Sequence, residues 1–192
     1  MQPYKKLFTY WYSLIIYDLT VKFCNRWIRS WKLREQMNGA ARSGKQNIVE
    51  GSEGMATSLK TGIKLTNVAK ASIEELLGDL EDFLRQRGLT RWSKDDQRVK
   101  VFRGKAAKLV SNLSSLSNLR LPAKQVEEKQ RKLLGQLGLP RESEEAANLL
   151  LTLCHQATYL LNKQVKSLEK KHQTEGGYSE KLYQRRIKYR KG

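Results

Sequence analysis

Apolar residues recur at intervals of three and four along most of the chain, and the strict alternation of a half-buried strand is scarce. A first helix is predicted over Tyr4 to Ser30, with a stripe of Leu7, Trp11, Leu14, Ile15, Asp18, Val21 and Cys24. Asp18 is the polar exception in that stripe and calls for a basic partner on a neighbouring helix. A second helix is predicted from Leu33 to Gly51, on a narrow face of Met37, Ala40, Ala41, Gly44 and Ile48, with the glycines of "EGSEG" as its terminator. Thr57 or Ser58 can cap a third, which runs to Arg87 and ends at Gly88. Its apolar side is Ile63, Leu76, Leu77, Leu80, Phe83 and Leu84.

Ser93 to Arg120 is amphipathic again, through Val99, Phe102, Ala106, Leu109, Leu113 and Leu116. Residues 121–141, bracketed by Pro122 and Pro140, read as a connection holding a short helix around Val126 to Leu137. A long helix from Glu142 to His172 follows, closed by Gly176 and Gly177. No internal repeat is visible. The pattern predicts an all-α fold, an antiparallel bundle joined by short loops.

Charge changes this picture from a plain bundle to a surface with a partner. Thirty-seven Lys and Arg against 19 Asp and Glu leave a formal charge of +18 over 192 residues. Such a surplus repels itself unless an anion shares it, with nucleic acid the first candidate and an anionic membrane surface the second. The run "LFTYWYSLIIYDL" (7–19) is too short for a membrane span, contains Asp18 and lacks a cleavage site after it. It reads as a core helix. No membrane partner is expected, and the cytoplasm is the expected compartment. Cys24 and Cys154 then read as buried free thiols.

The stretch 40–72 is rich in Ala, Gly, Ser and Asn. Ala40, Ala41 and Gly44 admit a close helix neighbour, and tight packing is the plain explanation for those three. Ser43, Asn47 and Glu50 recur on a second, polar face. Buried polar groups need partners, at about 1–3 kcal/mol for each left unpaired. That face therefore meets water, or Ser72 and Glu75 of the third helix, or a neighbouring subunit.

The segments "QMNGAARSGKQNIVEGS" and "KLTNVAKASIEELLGDLEDFLR" resemble a bacterial four-helix-bundle family encoded within intervening sequences of large-subunit ribosomal RNA. The resemblance rests on Ala40-Ala41, on Asn47-Ile48-Val49-Glu50-Gly51, and on Ala69, Ser72, Glu75 and Leu76. The ending "YLLNKQVKSLEKKHQTEGGYSEKLYQRR" is similar to a suffix-containing subfamily. Residues 1–90 and 142–186 are covered, and 93–141 depart from the pattern as a helical insertion before the last helix. The resemblance implies an antiparallel up-down four-helix bundle over 1–175, followed by a basic suffix, 176–192. It also implies a homo-oligomeric ring, often pentameric, without a catalytic site, in which Asn47, Glu50, Gly51, Ser72 and Glu75 are motif and interface residues. A related accessory protein of diversity-generating retroelements binds its reverse transcriptase and RNA.

Charge placement gives an independent argument. Lys60 and Lys64 occupy the first two turns of the third helix, where the macrodipole is already positive. Glu74, Glu75, Asp79, Glu81 and Asp82 crowd its later half. Each misplaced charge costs about 0.3–1 kcal/mol, which an anion bound at that end would offset. A solvated face with incidental charges is the equal alternative. The tail carries Lys181, Arg185, Arg186, Lys188, Arg190 and Lys191 with Tyr183 and Tyr189 between them. Cations neutralise phosphates and Tyr stacks on bases; the competing explanation is a disordered, solubilising tail. Arg42, Lys45, Lys60, Lys64, Lys70 and the six tail cations are thus the candidate nucleic-acid contacts.

Catalysis finds little footing. His155 and His172 are the only histidines, and Cys154 beside His155 points about 100° away on a helix. Glu74, Glu75 and Asp79 offer a nuclease's metal site, but surface ion pairs account for them more simply. No catalytic residue, metal or cofactor is expected. The leading expectation is a non-enzymatic accessory protein that binds RNA or an RNA–DNA hybrid and assists a reverse transcriptase. The alternative is an oligomeric scaffold for an acidic protein partner.

Overall fold

A computed structural model describes residues 2–55, 57–119 and 121–191, without the side chains of 179–181 and 191. Among these residues the fold is all-α and contains no strand. After a 3₁₀ turn, Pro3–Lys6, come seven helices: α1 Phe8–Trp27, α2 Trp31–Gly54, α3 Leu59–Gln86, α4 Gln97–Leu116, α5 Ala123–Leu134, α6 Ser143–Glu175 and α7 Tyr178–Lys191. No helix of the described residues is long and apolar enough to cross a membrane.

Several predicted boundaries move, each for a local reason. Pro3 opens the 3₁₀ turn, and extended Leu7 (φ −84°, ψ 127°) separates it from α1. The first helix therefore starts at Phe8 rather than Tyr4. Ile28 is extended and ends it, and the Ser30 hydroxyl accepts from Leu33 N–H at 3.3 Å to start α2 at Trp31. The third helix begins as expected after Ser58, whose hydroxyl accepts from Thr61 N–H, and Gly88 closes it at φ +65°. Asp96 caps α4 by accepting from Arg98 N–H at 2.8 Å, which moves its start from Ser93 to Gln97. Gly176, at φ +68°, ends α6, and the tail is helical as α7.

The glycines of "EGSEG" do not stop α2 at Gly51; the helix runs on to Gly54. A Cβ on Gly51 would stand 3.2 Å from the Leu65 Cβ and 3.5 Å from the Gly62 carbonyl oxygen. Its missing side chain lets α2 and α3 approach. Residue numbers on α3 fall as those on α2 rise, from Gln36 with Asp79 to Ser43 with Ser72 and Gly51 with Leu65, so this pair is antiparallel.

α2 lies along α3, α3 along α6, and α1 against both α2 and α6, which closes a circuit around the core. Trp11, Ile16, Phe23, Met37, Ile48, Ile73, Leu76, Leu80, Leu84, Leu149 and Leu150 fill it. α4 packs on α6 and α1 and adds Ala106, Leu109, Val110 and Leu113 to the same core. α5 packs on α4 and has no buried residue of its own.

The predicted α1 stripe is too narrow. With α2, α4 and α6 all against it, α1 also buries Tyr12, Ile16, Leu19 and Phe23, whereas Asp18 is exposed. Desolvation nonetheless holds the Asp18 carboxyl above its ordinary range, opposed by the nearby charges of Lys45 and Lys22.

Candidate nucleic-acid interface

The α2–α3 seam is built from the small and polar residues of 40–72. Met37, Ala40, Ala41, Gly44 and Ile48 are buried, as their spacing predicts. Across the seam runs a chain of hydrogen bonds. Asn47 Nδ2 donates to the Ser43 carbonyl at 2.9 Å and to Ser43 Oγ at 3.1 Å. The Ser43 and Ser72 hydroxyls are 2.9 Å apart, and Ser72 donates to the Val68 carbonyl at 3.0 Å. Each hydroxyl has one proton. With the Ser72 proton on Val68, Ser43 is the donor to Ser72. The polar face is thus satisfied within one chain at Asn47 and Ser72. Glu50 and Glu75 are exposed, and among the described residues Glu50 accepts only from its own helix, from Gln46 at 3.2 Å.

The candidate cations do not converge. Lys60 and Lys64 are exposed, four residues apart on the first turns of α3. Arg42 is exposed halfway along α2, and the half-buried Lys45 sets its ammonium 4.8 Å over the Tyr17 ring. Lys70 pairs with Glu74 at 3.6 Å. Arg185, Arg186, Lys188 and Arg190 are exposed on α7, while the side chains of Lys181 and Lys191 lie outside the described residues.

A tighter cationic group, missed in the sequence, stands at the α1–α2 turn. Arg26, Arg29 and Arg87 surround Trp27 in a pocket of about 400 Å³. Arg26 lies 4.8 Å over the Trp27 ring. Arg87 donates to the Trp27 carbonyl at 2.7 Å and stacks 4.2 Å over Phe83. Trp31, 70% exposed, begins the next helix. Cations beside an exposed Trp suit phosphates with a stacked base. The signal is "NRWIRSWK", obscured because the predicted first helix runs on to Ser30, and Arg87 is remote in sequence. By helical rise it stands about 35–40 Å from Lys60 and Lys64, at the other end of α3.

Burial pushes the thiols of Cys24 and Cys154 up to about 12, so both stay protonated. No group of three or more His, Cys, Asp or Glu side chains among the described residues could hold a metal. Asp79 is held above the ordinary carboxylate range by desolvation and then by the charges of Glu75 and Asp82.

Fold and surface together define an all-α helical protein with a basic, aromatic-bearing exterior. Comparison with family models, with curated proteins and with solved structures gives no match to the chain.

Proposed function

We propose that this protein is a non-enzymatic accessory protein that binds RNA or an RNA–DNA hybrid and assists the reverse transcriptase of a diversity-generating retroelement. In this reading α1, α2, α3 and α6 are an antiparallel up-down four-helix bundle, α4 and α5 an insertion, and α7 the basic suffix. The bundle assembles into a homo-oligomeric ring, pentameric in the motif's relatives.

The charge surplus carries the reading. Its 37 Lys and Arg exceed its 19 Asp and Glu by far, and Arg42, Lys60, Lys64, Arg185, Arg186, Lys188 and Arg190 are exposed. Cations spread over α2, α3, α7 and the α1–α2 turn suit a polyanion followed over a long path, with phosphate contacts dominant over base readout. Retroelement and ring rest on the motif resemblance at Ala40-Ala41, Asn47 to Gly51, Ala69, Ser72, Glu75 and Leu76.

The test is fluorescence anisotropy with labelled structured RNA and RNA–DNA hybrid, with light scattering on the same samples. Affinity should fall by roughly 10³ or more between about 50 and 200 mM salt if six or more phosphates are met. Lys60→Glu with Lys64→Glu, and separately a chain ending at Gly177, should weaken binding and flatten that slope. Binding no better than that of a neutral bundle at about 100 mM salt would assign the surface to an acidic protein instead. A species of only 22.2 kDa would remove the ring. Magnesium-dependent RNA cleavage abolished by Glu75→Gln would overturn the non-enzymatic assignment.

A further inference from the structure

The segment 89–96 is strapped onto α6. Thr90 N–H donates to Glu144 at 2.9 Å, Trp92 N–H to Asn148 at 2.8 Å, and the Trp92 indole N–H to Glu144 at 2.9 Å. Asn148 returns a bond to the Thr90 carbonyl at 2.9 Å. This strap, α4, the start of α1 and the middle of α6 enclose a groove of about 920 Å³. That volume suits a small organic ligand rather than a single ion.

The chemistry of its lining is one-sided. Phe8, Tyr12, Val99, Leu151, Tyr159 and Leu160 make apolar walls, and Phe8 and Tyr159 are 45% and 57% exposed. Arg91, Lys94 and Arg103 also line it, and among the described residues no carboxylate does. Arg91 is engaged by Glu81 at 2.8 Å, whereas among the described residues the Arg103 guanidinium reaches only the Lys94 carbonyl, at 3.4 Å. Gln156 donates to the Arg103 carbonyl at 3.3 Å, and its buried Oε1 has no partner among the described residues. His155, also on the groove, is held below its usual range by burial and then by Arg91, with Glu81 opposing and Arg103 adding to the effect.

We propose that this groove binds a small aromatic organic anion, with its ring among Phe8, Tyr159 and Leu160 and its acidic group on Arg103 and Lys94. None of the candidate nucleic-acid contacts lines the groove, so the proposal stands apart from the nucleic-acid reading.

The probe is 1-anilinonaphthalene-8-sulfonate, an aromatic sulfonate whose fluorescence rises in apolar sites, titrated beside uncharged N-phenyl-1-naphthylamine. Saturable binding at one site per chain is expected. Arg103→Glu should weaken the sulfonate about tenfold or more, the scale of a lost charged hydrogen bond, and leave the neutral probe within about twofold. Ala107→Trp, from an exposed lining position on α4, should block both probes. Lys105→Glu, exposed on α4 and outside the lining, should change neither. Equal losses in Arg103→Glu and Lys105→Glu would show diffuse attraction to a basic surface and overturn the site. Sulfonate binding unchanged by Arg103→Glu or by Ala107→Trp would overturn it as well. A change of oligomer mass in Ala107→Trp would mean that a second copy of the chain covers the groove, which also overturns the proposal.

Discussion

Gly39 and Gly44 stand five residues apart on α2 and should answer the same substitution in opposite ways. A Cβ on Gly39, or on Gly78 of α3, meets nothing within 4 Å, and both positions are exposed. Alanine there restricts the unfolded chain without crowding the folded one, for a gain of about 0.4–1 kcal/mol each. A Cβ on Gly44 would stand 2.8 Å from Ile73 Cγ1 and 3.5 Å from the Ala69 carbonyl oxygen. Ile73 is fully buried and cannot swing aside. Overpacking of about 1–3 kcal/mol then exceeds the helix-propensity gain of about 1 kcal/mol. Urea unfolding should place Gly39→Ala and Gly78→Ala above the parent and Gly44→Ala below it; a stabilised Gly44→Ala would refute the close approach. Spacing alone made Ala40, Ala41 and Gly44 legible, because small residues three and four apart on an amphipathic helix have few other uses. Gly51 is ambiguous in sequence because a glycine ends helices and admits neighbours equally well, and only Leu65 and Gly62 decide between the two.

Among the elements, those with local signals were legible. Ser58 and Gly88 bound α3 as the sequence predicts, since a cap and a left-handed stop each act within a few residues. The strap over 89–96 was not, because Thr90 and Trp92 find their partners 52 to 58 positions away. Its acid sensitivity follows from those partners. Glu144 is held below its ordinary range, first by the Thr90 N–H and then by the Trp92 indole, with desolvation opposing. A depressed carboxylate contributes stability above its unfolded pKa, about 4.3 for glutamate, and loses it as pH falls through the lower folded value. The strap should therefore hold at neutral pH and loosen only below about pH 4. The Trp92 indole N–H resonance should titrate over that window in the parent and stay flat in Glu144→Gln. A resonance that moves equally in both would place the control elsewhere. The same loosening opens one wall of the anion groove, so acid should weaken ligand binding at a pH where the sulfonate probe itself stays charged.

At the scale of the whole molecule, the surplus of +18 sets folding and binding against each other in salt. The free chain gathers its cations onto one compact body, and their mutual repulsion opposes folding. Salt shortens the screening length from about 10 Å at 0.1 M to about 3 Å at 1 M, so it relieves that repulsion. Thermal unfolding of the free protein should move upward by a few degrees from 50 to 500 mM NaCl; for a chain of this size about 1 kcal/mol corresponds to roughly 2–4 °C. Bound RNA stabilises by mass action, about 2.7 kcal/mol at a hundredfold excess over Kd, and salt weakens that binding steeply. With RNA present the midpoint should therefore start higher and fall as salt rises, until it meets the rising curve of the free protein. α7 supplies Lys181, Arg185, Arg186, Lys188, Arg190 and Lys191. A chain ending at Gly177 should consequently show a shallower slope in both curves, because one set of charges drives the two effects. Parallel curves with and without RNA would separate the charge from any nucleic-acid role. A free-protein midpoint that ignores salt would show that the cations stand too far apart to repel one another, and the surplus would then call for no anionic partner.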